Sequence, residues 1–291
     1  MDNWEKDIEL AQYTTFKIGG KADYFYRVKS VDDLIESIKS AKKENLPFFI
    51  LGSGSNLLVS DEGFRGLVIK MEYGFIEKPT ESEIIAGAGM LLSTLLFESI
   101  KYNLSGLEWA IGIPGTVGGA ICGNSGAFGQ STSNSVKSVE ILDTETMEVE
   151  NKIFEFCDFK YRRSIFKNNN RYIILSAAFE FQKNNKEEID KNIKEYISQR
   201  QKNNPIGPSA GCVFRNIQKG EEKISVGKII EACRLKGKII GGAQISDKHA
   251  NFIVNINNAK AKDVLDLIDL AKKTVKLQEG FDIEEEIVIL K

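Results

Sequence analysis

Apolar residues recur along this chain with two different periods, and the switches between them mark out its elements. Residues 22–28 read as a strand. Ser30-Val31-Asp32-Asp33 then fits a capping box, and Ile35, Ile38 and Ala41 continue at helical spacing. Pro47-Phe48-Phe49-Ile50-Leu51 is a short apolar run of the kind a sheet buries, and Gly66-Leu67-Val68-Ile69-Lys70 is another. Together they predict a small βαβ-like unit with a glycine loop, Gly52-Ser53-Gly54-Ser55-Asn56, at a strand end.

Further on, 82–86 predicts a strand ending at Gly87-Ala88-Gly89, and 91–102 predicts a helix. The stretch from Gly112 through Gly119 to Gly126 holds too many glycines for one regular helix or strand. Alternation over 135–156 predicts a hairpin turning near Asp143-Thr144-Glu145-Thr146, and 173–181 is one more strand. Polar Lys183-Asn184-Asn185-Lys186 marks a boundary. Beyond it the pattern gives helices over 187–200, 227–233 and 259–278, and strands near 242–245, 251–256 and 286–290. The expected class is α+β, in at least two parts.

Charge and composition narrow the chemistry. With 39 basic and 41 acidic side chains the net charge is -2, unlike the basic footprint of a nucleic-acid binder. The charged N-terminus lacks a signal-peptide pattern, and no window has the 18 or more apolar residues of a membrane span. A cytoplasmic location is expected. Cys122, Cys157, Cys212 and Cys233 form neither a CxxC pair nor zinc-finger spacing, so they are expected to be free thiols. His249 is the single histidine, which excludes HExxH and di-histidine metal centres; no metal is expected.

Glycine lets the backbone approach a ligand, and successive amides in such turns can form an anion nest. Gly52 to Asn56 and Gly112 to Gly119 both follow that logic, but neither is a P-loop nor a Rossmann fingerprint. Two such loops, each after a strand, point to one long phosphate-bearing ligand. Residue chemistry alone reaches a dinucleotide-like cofactor and stops there.

Six segments in order carry a more specific signal. They are Thr14-Thr15-Phe16-Lys17-Ile18-Gly19-Gly20, Leu51-Gly52-Ser53-Gly54-Ser55-Asn56-Leu57-Leu58 and Gly112-Ile113-Pro114-Gly115-Thr116-Val117-Gly118-Gly119-Ala120. Tyr161-Arg162-Arg163-Ser164-Ile165-Phe166-Lys167, Pro208-Ser209-Ala210-Gly211-Cys212-Val213-Phe214 and Lys248-His249-Ala250-Asn251-Phe252 complete the set. From about residue 14 onward the chain resembles the UDP-N-acetylenolpyruvoylglucosamine reductase family, in its shorter type II form. The resemblance implies a vanillyl-alcohol-oxidase-type (PCMH) FAD-binding fold in two subdomains, 1–70 and 71–186, and a C-terminal substrate-binding domain, 187–291. It implies non-covalent FAD, with NADPH as hydride donor and reduced flavin passing hydride to the enolpyruvyl group of UDP-N-acetylglucosamine enolpyruvate. The product would be UDP-N-acetylmuramate, for peptidoglycan, made by a monomer with no nucleic-acid or membrane partner.

The same resemblance assigns residues. Leu51, Gly52, Ser53, Gly54, Ser55, Asn56 and Leu57, with Pro114, Gly115, Thr116, Gly118, Gly119 and Ala120, would cradle the cofactor. Asn124, Gly126, Ala127 and Tyr161 would lie behind them. Hydride addition leaves negative charge beside the substrate carboxylate, which calls for a fixed cation and a proton donor. Arg162 matches the first role. Cys212 stands where many members carry a serine; a thiol, with an ordinary pKa of about 8.5, is the stronger acid. Glu286 matches the family's glutamate before the last strand, with Glu285 as the lesser alternative. Tyr161, Arg162, Arg200, Gly211 and Cys212 would meet the substrate, Arg200 through a phosphate, although a helix-end cation explains Arg200 equally well. His249 is expected to be structural. Ile217 and Arg234 replace a proline and a glycine common in the family. Two rivals stand beside this reading: an oxygen-dependent flavoprotein oxidase of the same fold, and a non-catalytic flavin- or nucleotide-sugar-binding module.

Overall fold

The computed structural model describes residues 3–220 and 222–291. Contacts divide the chain into two compact units. The first comprises Tyr24–Ser53 and Gly66–Arg200, with a short N-terminal piece ending at Glu5. The second comprises Lys6–Asp23, Gly54–Arg65 and Gln201–Lys291.

In the first unit, helix α1 (Val31–Lys43) starts where the capping pattern puts it: the Ser30 hydroxyl accepts from the Asp33 amide at 3.1 Å. Its Leu34, Ile38 and Ala41 are fully buried in one core with Leu67, Ile69, Trp109 and Phe179. Each such large apolar side chain stabilises the fold by about 2 kcal/mol. The strand Phe48–Leu51 runs parallel to residues 67–70, as expected. The strand Lys21–Val28 is not its neighbour, however, because Phe64–Met71 lies between them in the sheet order.

An antiparallel five-stranded sheet forms the rest of this unit, in the order Glu148–Ile153, Val136–Asp143, Tyr172–Glu180, Glu83–Gly87, Ile76–Glu77. Its first two strands are the predicted hairpin, with Asp143 opposite Glu148. Helix α2 (Leu92–Lys101) follows, and the glycine-rich stretch contains the short α3 (Val117–Cys122), packed on Tyr172–Glu180. The charged α4 (Lys186–Asn203) comes after the polar boundary.

The second unit has its own core, in which Phe16, Ile18 and Leu58 join Val213, Phe214, Ile230, Leu267 and Ile268. Helix α5 (Val226–Ala232) packs on the long α6 (Ala261–Glu279), which packs in turn on a three-stranded antiparallel sheet of Ile239–Ile240, Ala243–Ile245 and Ile253–Asn255. The Asp61 carboxylate accepts the Ala261 and Lys262 amides, at 2.8 and 3.1 Å, and so caps α6 from 200 residues away. Strand Val288–Leu290 pairs in parallel with Leu57–Val59. Among the described residues, no helix is long and apolar enough to cross a membrane.

Candidate active site

The candidate residues divide between the two units. Leu51, Gly52, Ser53, all the candidates from Pro114 to Arg162, and Arg200 belong to the first. Gly54, Ser55, Asn56, Leu57, Gly211, Cys212 and Glu286 belong to the second.

In the first unit the two glycine loops touch. A Cβ on Gly52 would stand 2.6 Å from Thr116 Oγ1, so only glycine permits this approach. That same hydroxyl caps α3 by accepting from the Gly119 amide at 3.2 Å. The Val117 and Gly118 amides donate to Met90 O and Ala88 O, at 2.8 and 2.9 Å. These three amides are therefore bonded within the chain, two of them holding α3 against the turn after Glu83–Gly87. At the other loop, Lys70 Nζ donates to Gly52 O at 2.5 Å. Burial lowers the Lys70 pKa, with Glu72 acting in the opposite direction. Lys70 escaped the sequence reading because a lysine at a strand end carries no signal of its own.

Tyr161 and Arg162 occupy the tip of a tight turn closed by Lys160 and Arg163, whose amides and carbonyls exchange bonds of 2.9 and 3.1 Å. Arg162 has φ +56°, a left-handed conformation that costs a non-glycine residue roughly 1–2 kcal/mol. Arg162 Nη2 donates to Gly126 O at 2.5 Å, and its guanidinium lies 5.4 Å from the Tyr161 ring centroid. Gly126 is itself hemmed in, since a Cβ there would meet Gln130 O at 2.3 Å. Buried Asn124 braces the turn by donating to Lys160 O at 3.0 Å and accepting from the Ser133 amide at 3.1 Å. Arg200 donates to Trp109 O at 2.9 Å and lies 5.2 Å from the Phe128 ring centroid, which stacks on Tyr196.

The second unit brings Cys212 and Glu286 onto neighbouring segments. The Glu286 amide donates to Val213 O at 2.7 Å, and Phe214 is bridged to Glu285. On the opposite side Cys212 is bridged to Phe252, and the Val213 amide donates to Asn251 O at 2.8 Å. Asn56, from the first glycine loop, joins the same cluster: its Nδ2 donates to Glu286 O at 3.2 Å and its carbonyl accepts from the Val288 amide. Gly54 approaches Tyr13 so closely that a Cβ would lie 2.2 Å from Tyr13 O, and Thr15 Oγ1 donates to Ser209 O at 2.7 Å. Thr15 and Asn251 lie in the segments 14–20 and 248–252 that carry the resemblance, but their sequence does not announce which backbone atoms they hold.

The glutamate run separates by its contacts. Lys272 Nζ donates to Glu285 Oε1 at 2.8 Å, whereas Glu284 is exposed. The thiols separate too. All four are free, and burial pushes those of Cys122 and Cys157 up to about 11 and that of Cys233 upward. Cys212 and Cys122 are partly exposed, and Cys157 and Cys233 are buried. His249 packs edge-on against Phe252, and its Nδ1 accepts from the Asn251 amide at 3.2 Å, in keeping with a structural histidine. No group of three or more His, Cys, Asp or Glu side chains able to hold a metal occurs among the described residues.

Comparisons with known proteins bear on the chain as a whole. A family model described as "UDP-N-acetylenolpyruvoylglucosamine reductase, C-terminal domain" matches residues 200–290, and one described as "FAD binding domain" matches 22–150. The UDP-N-acetylenolpyruvoylglucosamine reductase of Anoxybacillus flavithermus is 41% identical over 98% of this chain and 94% of its own length. That of Caldanaerobacter subterraneus subsp. tengcongensis is 40% identical over 97% and 91%. The crystal structure of the Thermus caldophilus reductase is similar with a TM-score of 0.83 at 32% identity, covering 99% of each chain. The α+β class and the expected FAD-binding architecture with a distinct C-terminal domain are thereby borne out.

Proposed function

We propose a function on one premise: the chain belongs to the UDP-N-acetylenolpyruvoylglucosamine reductase family. It is an oxidoreductase of peptidoglycan precursor synthesis, and its reaction is NADPH-dependent reduction of UDP-N-acetylglucosamine enolpyruvate to UDP-N-acetylmuramate. Residues 187–291 serve substrate binding, and the enzyme acts in the cytoplasm as a monomer.

The residues present fit a bound FAD. Gly52 and Gly118 are half-exposed and Gly119 is exposed, so at these three positions backbone meets whatever lies against them. A Cβ on Gly119 would find only Thr116 Oγ1 within 4 Å. The Lys70 ammonium at the Gly52 carbonyl adds a cation suited to a pyrophosphate. Gly52 to Leu57, Pro114 to Ala120, Asn124, Gly126, Ala127 and Tyr161 would hold the cofactor. Bound there, FAD supplies a hydride relay from a nicotinamide to a carbon–carbon double bond.

The chain's own groups handle charge and protons. Arg162 holds the substrate carboxylate and stabilises the negative charge that develops beside it during reduction. The Cys212 thiol gives its proton to the carbon next to that carboxylate and becomes a thiolate, which solvent reprotonates; no covalent bond to substrate forms. Glu286 helps to stabilise or protonate the enol intermediate of the substrate. Arg200 and Gly211 take up the rest of the substrate. What supports this division of labour is the 2.7 Å bond from the Glu286 amide to Val213 O, which keeps the proposed acid and glutamate on adjoining segments.

The test is the visible spectrum of the purified protein together with NADPH oxidation, with and without the enolpyruvyl substrate. A flavin spectrum and substrate-dependent turnover are expected. Flavin without that turnover would redirect the substrate assignment, and no flavin after reconstitution with FAD would overturn the cofactor reading.

A further inference from the structure

The segment that carries Cys212 is not part of a regular sheet: Cys212 and Phe214 make only isolated bridges, to Phe252 and Glu285. A side chain supplies what the missing ladder does not. Asn251, 3% exposed, accepts from the Phe214 amide through Oδ1 at 2.9 Å and donates through Nδ2 to Phe214 O at 2.8 Å. Its own carbonyl accepts from the Val213 amide at 2.8 Å. Phe214 presents both an N–H and a C=O, so the carboxamide orientation is fixed by its partners. Asn251 is held in turn, its amide donating to His249 Nδ1 at 3.2 Å.

We infer that Asn251 is a positioning residue for the Cys212 thiol, an inference that rests on the proposed role of Cys212 as proton donor. Only Asn offers one donor and one acceptor in a short planar group, and so can replace both halves of a ladder pair. Aspartate keeps the bond to the Phe214 amide but sets carboxylate oxygen against Phe214 O. Alanine loses both bonds and leaves two buried backbone groups without partners. Without the clamp the segment keeps its backbone bonds, Val213 N–H to Asn251 O on one side and the Arg215 and Glu286 amides to Glu284 O and Val213 O on the other. The Phe214 N–H and C=O between them, however, lose the side-chain partners that hold them. The thiol then drifts relative to its target.

The test uses the FAD-loaded enzyme with Asn251→Ala, Asn251→Asp and, in parallel, Cys212→Ala. Flavin reduction by NADPH and reoxidation by the enolpyruvyl substrate are followed separately in stopped flow, alongside amide hydrogen exchange of the enzyme without substrate. Asn251→Ala is expected to slow reoxidation about 100-fold, the scale of a 1 Å misplacement, while leaving flavin reduction unchanged. Asn251→Asp should fall between it and the wild type, and carries the test alone if the alanine variant does not fold. Exchange at Val213 and Phe214 should quicken, with the Tyr172–Glu180 strand unaffected. Wild-type reoxidation in Asn251→Ala overturns the inference, as does equal decline of both half-reactions with exchange rising in both units. If Cys212→Ala reoxidises normally, the proton-donor reading itself fails; if it is slow while Asn251→Ala is not, only the clamp is wrong.

Discussion

Thr116 Oγ1 lies 2.6 Å from the point where Gly52 would carry a side chain, a close approach between the two glycine-rich loops. Gly52→Ala must separate them or displace the α3 cap. The variant is expected to lose bound flavin, measured as the visible absorbance that copurifies with it. Adding Thr116→Ala should restore part of that absorbance, because the next nearest atoms are at 3.7 Å, even though removing the cap costs about 1 kcal/mol. Such non-additivity is the mark of direct contact.

Cys212→Ala should slow flavin reoxidation by substrate by roughly 100- to 10,000-fold, the range for losing a general acid, with reduction by NADPH preserved. Cys212→Ser should retain much of the activity if the side chain acts only as an acid. Stopped-flow absorbance of each half-reaction decides both.

The glutamates predict opposite phenotypes. Glu286→Gln is expected to lower kcat with little change in melting temperature. Glu285→Gln breaks the partly exposed bond to Lys272, an interaction worth at most about 1 kcal/mol, and should leave kcat alone. Parallel kinetics and thermal melts distinguish them, and the reverse pattern would reassign the catalytic glutamate.

His249 gives a pH prediction. Burial lowers its pKa from the ordinary 6.5; Lys236 acts in the same direction and Glu231 opposes it. As pH falls below about 6.5 the unfolded chain takes up a proton that the folded one resists, so stability declines with falling pH. Protonation would also turn the Nδ1 acceptor into a donor facing the Asn251 amide. As the chain has no other histidine, the loss of melting temperature between pH 7.5 and 5.5 should shrink in His249→Gln.

Arg234 follows the end of α5 with φ +58°, the helix C′ position at which glycine is favoured. Left-handed geometry costs arginine roughly 1–2 kcal/mol, and glycine's extra chain entropy returns about 0.5–1 of that. Arg234→Gly should therefore be stabilising by about 0.5–1 kcal/mol in chemical denaturation. A destabilised variant would mean that the arginine side chain contributes more than its backbone costs.

The elements and the Ser30 cap were legible because each is written locally: Ser30 lies three residues from the amide it caps, and the glycine loops declare themselves by composition. The substitution at Arg234 was visible too, although its consequence was not: the chain keeps the left-handed turn instead of reshaping the loop. What stayed hidden is what depends on distant partners. Nothing near Lys70 announces Gly52 O, and nothing in Lys248-His249-Ala250-Asn251-Phe252 announces the backbone of Phe214. The sheet order escaped for the same reason, since the intrusion of Phe64–Met71 between Lys21–Val28 and Phe48–Leu51 is a choice among distant pairings.

The bond from Asn56 to Glu286 spans 230 positions of sequence, and the parallel pairing of Leu57–Val59 with Val288–Leu290 spans as many. On a ribosome adding about 5–20 residues per second, the early half of that pairing waits roughly ten to fifty seconds for its partner. Phe16, Ile18 and Leu58 share one buried cluster with Leu267 and Ile268 and must wait with it. The second unit is therefore an assembly completed only once residues 288–290 have been made, whereas the strands of the five-stranded sheet are all synthesised by Glu180. Nascent-chain proteolysis should find the first unit protected well before the second, whose early apolar segments are the natural clients of a holding chaperone.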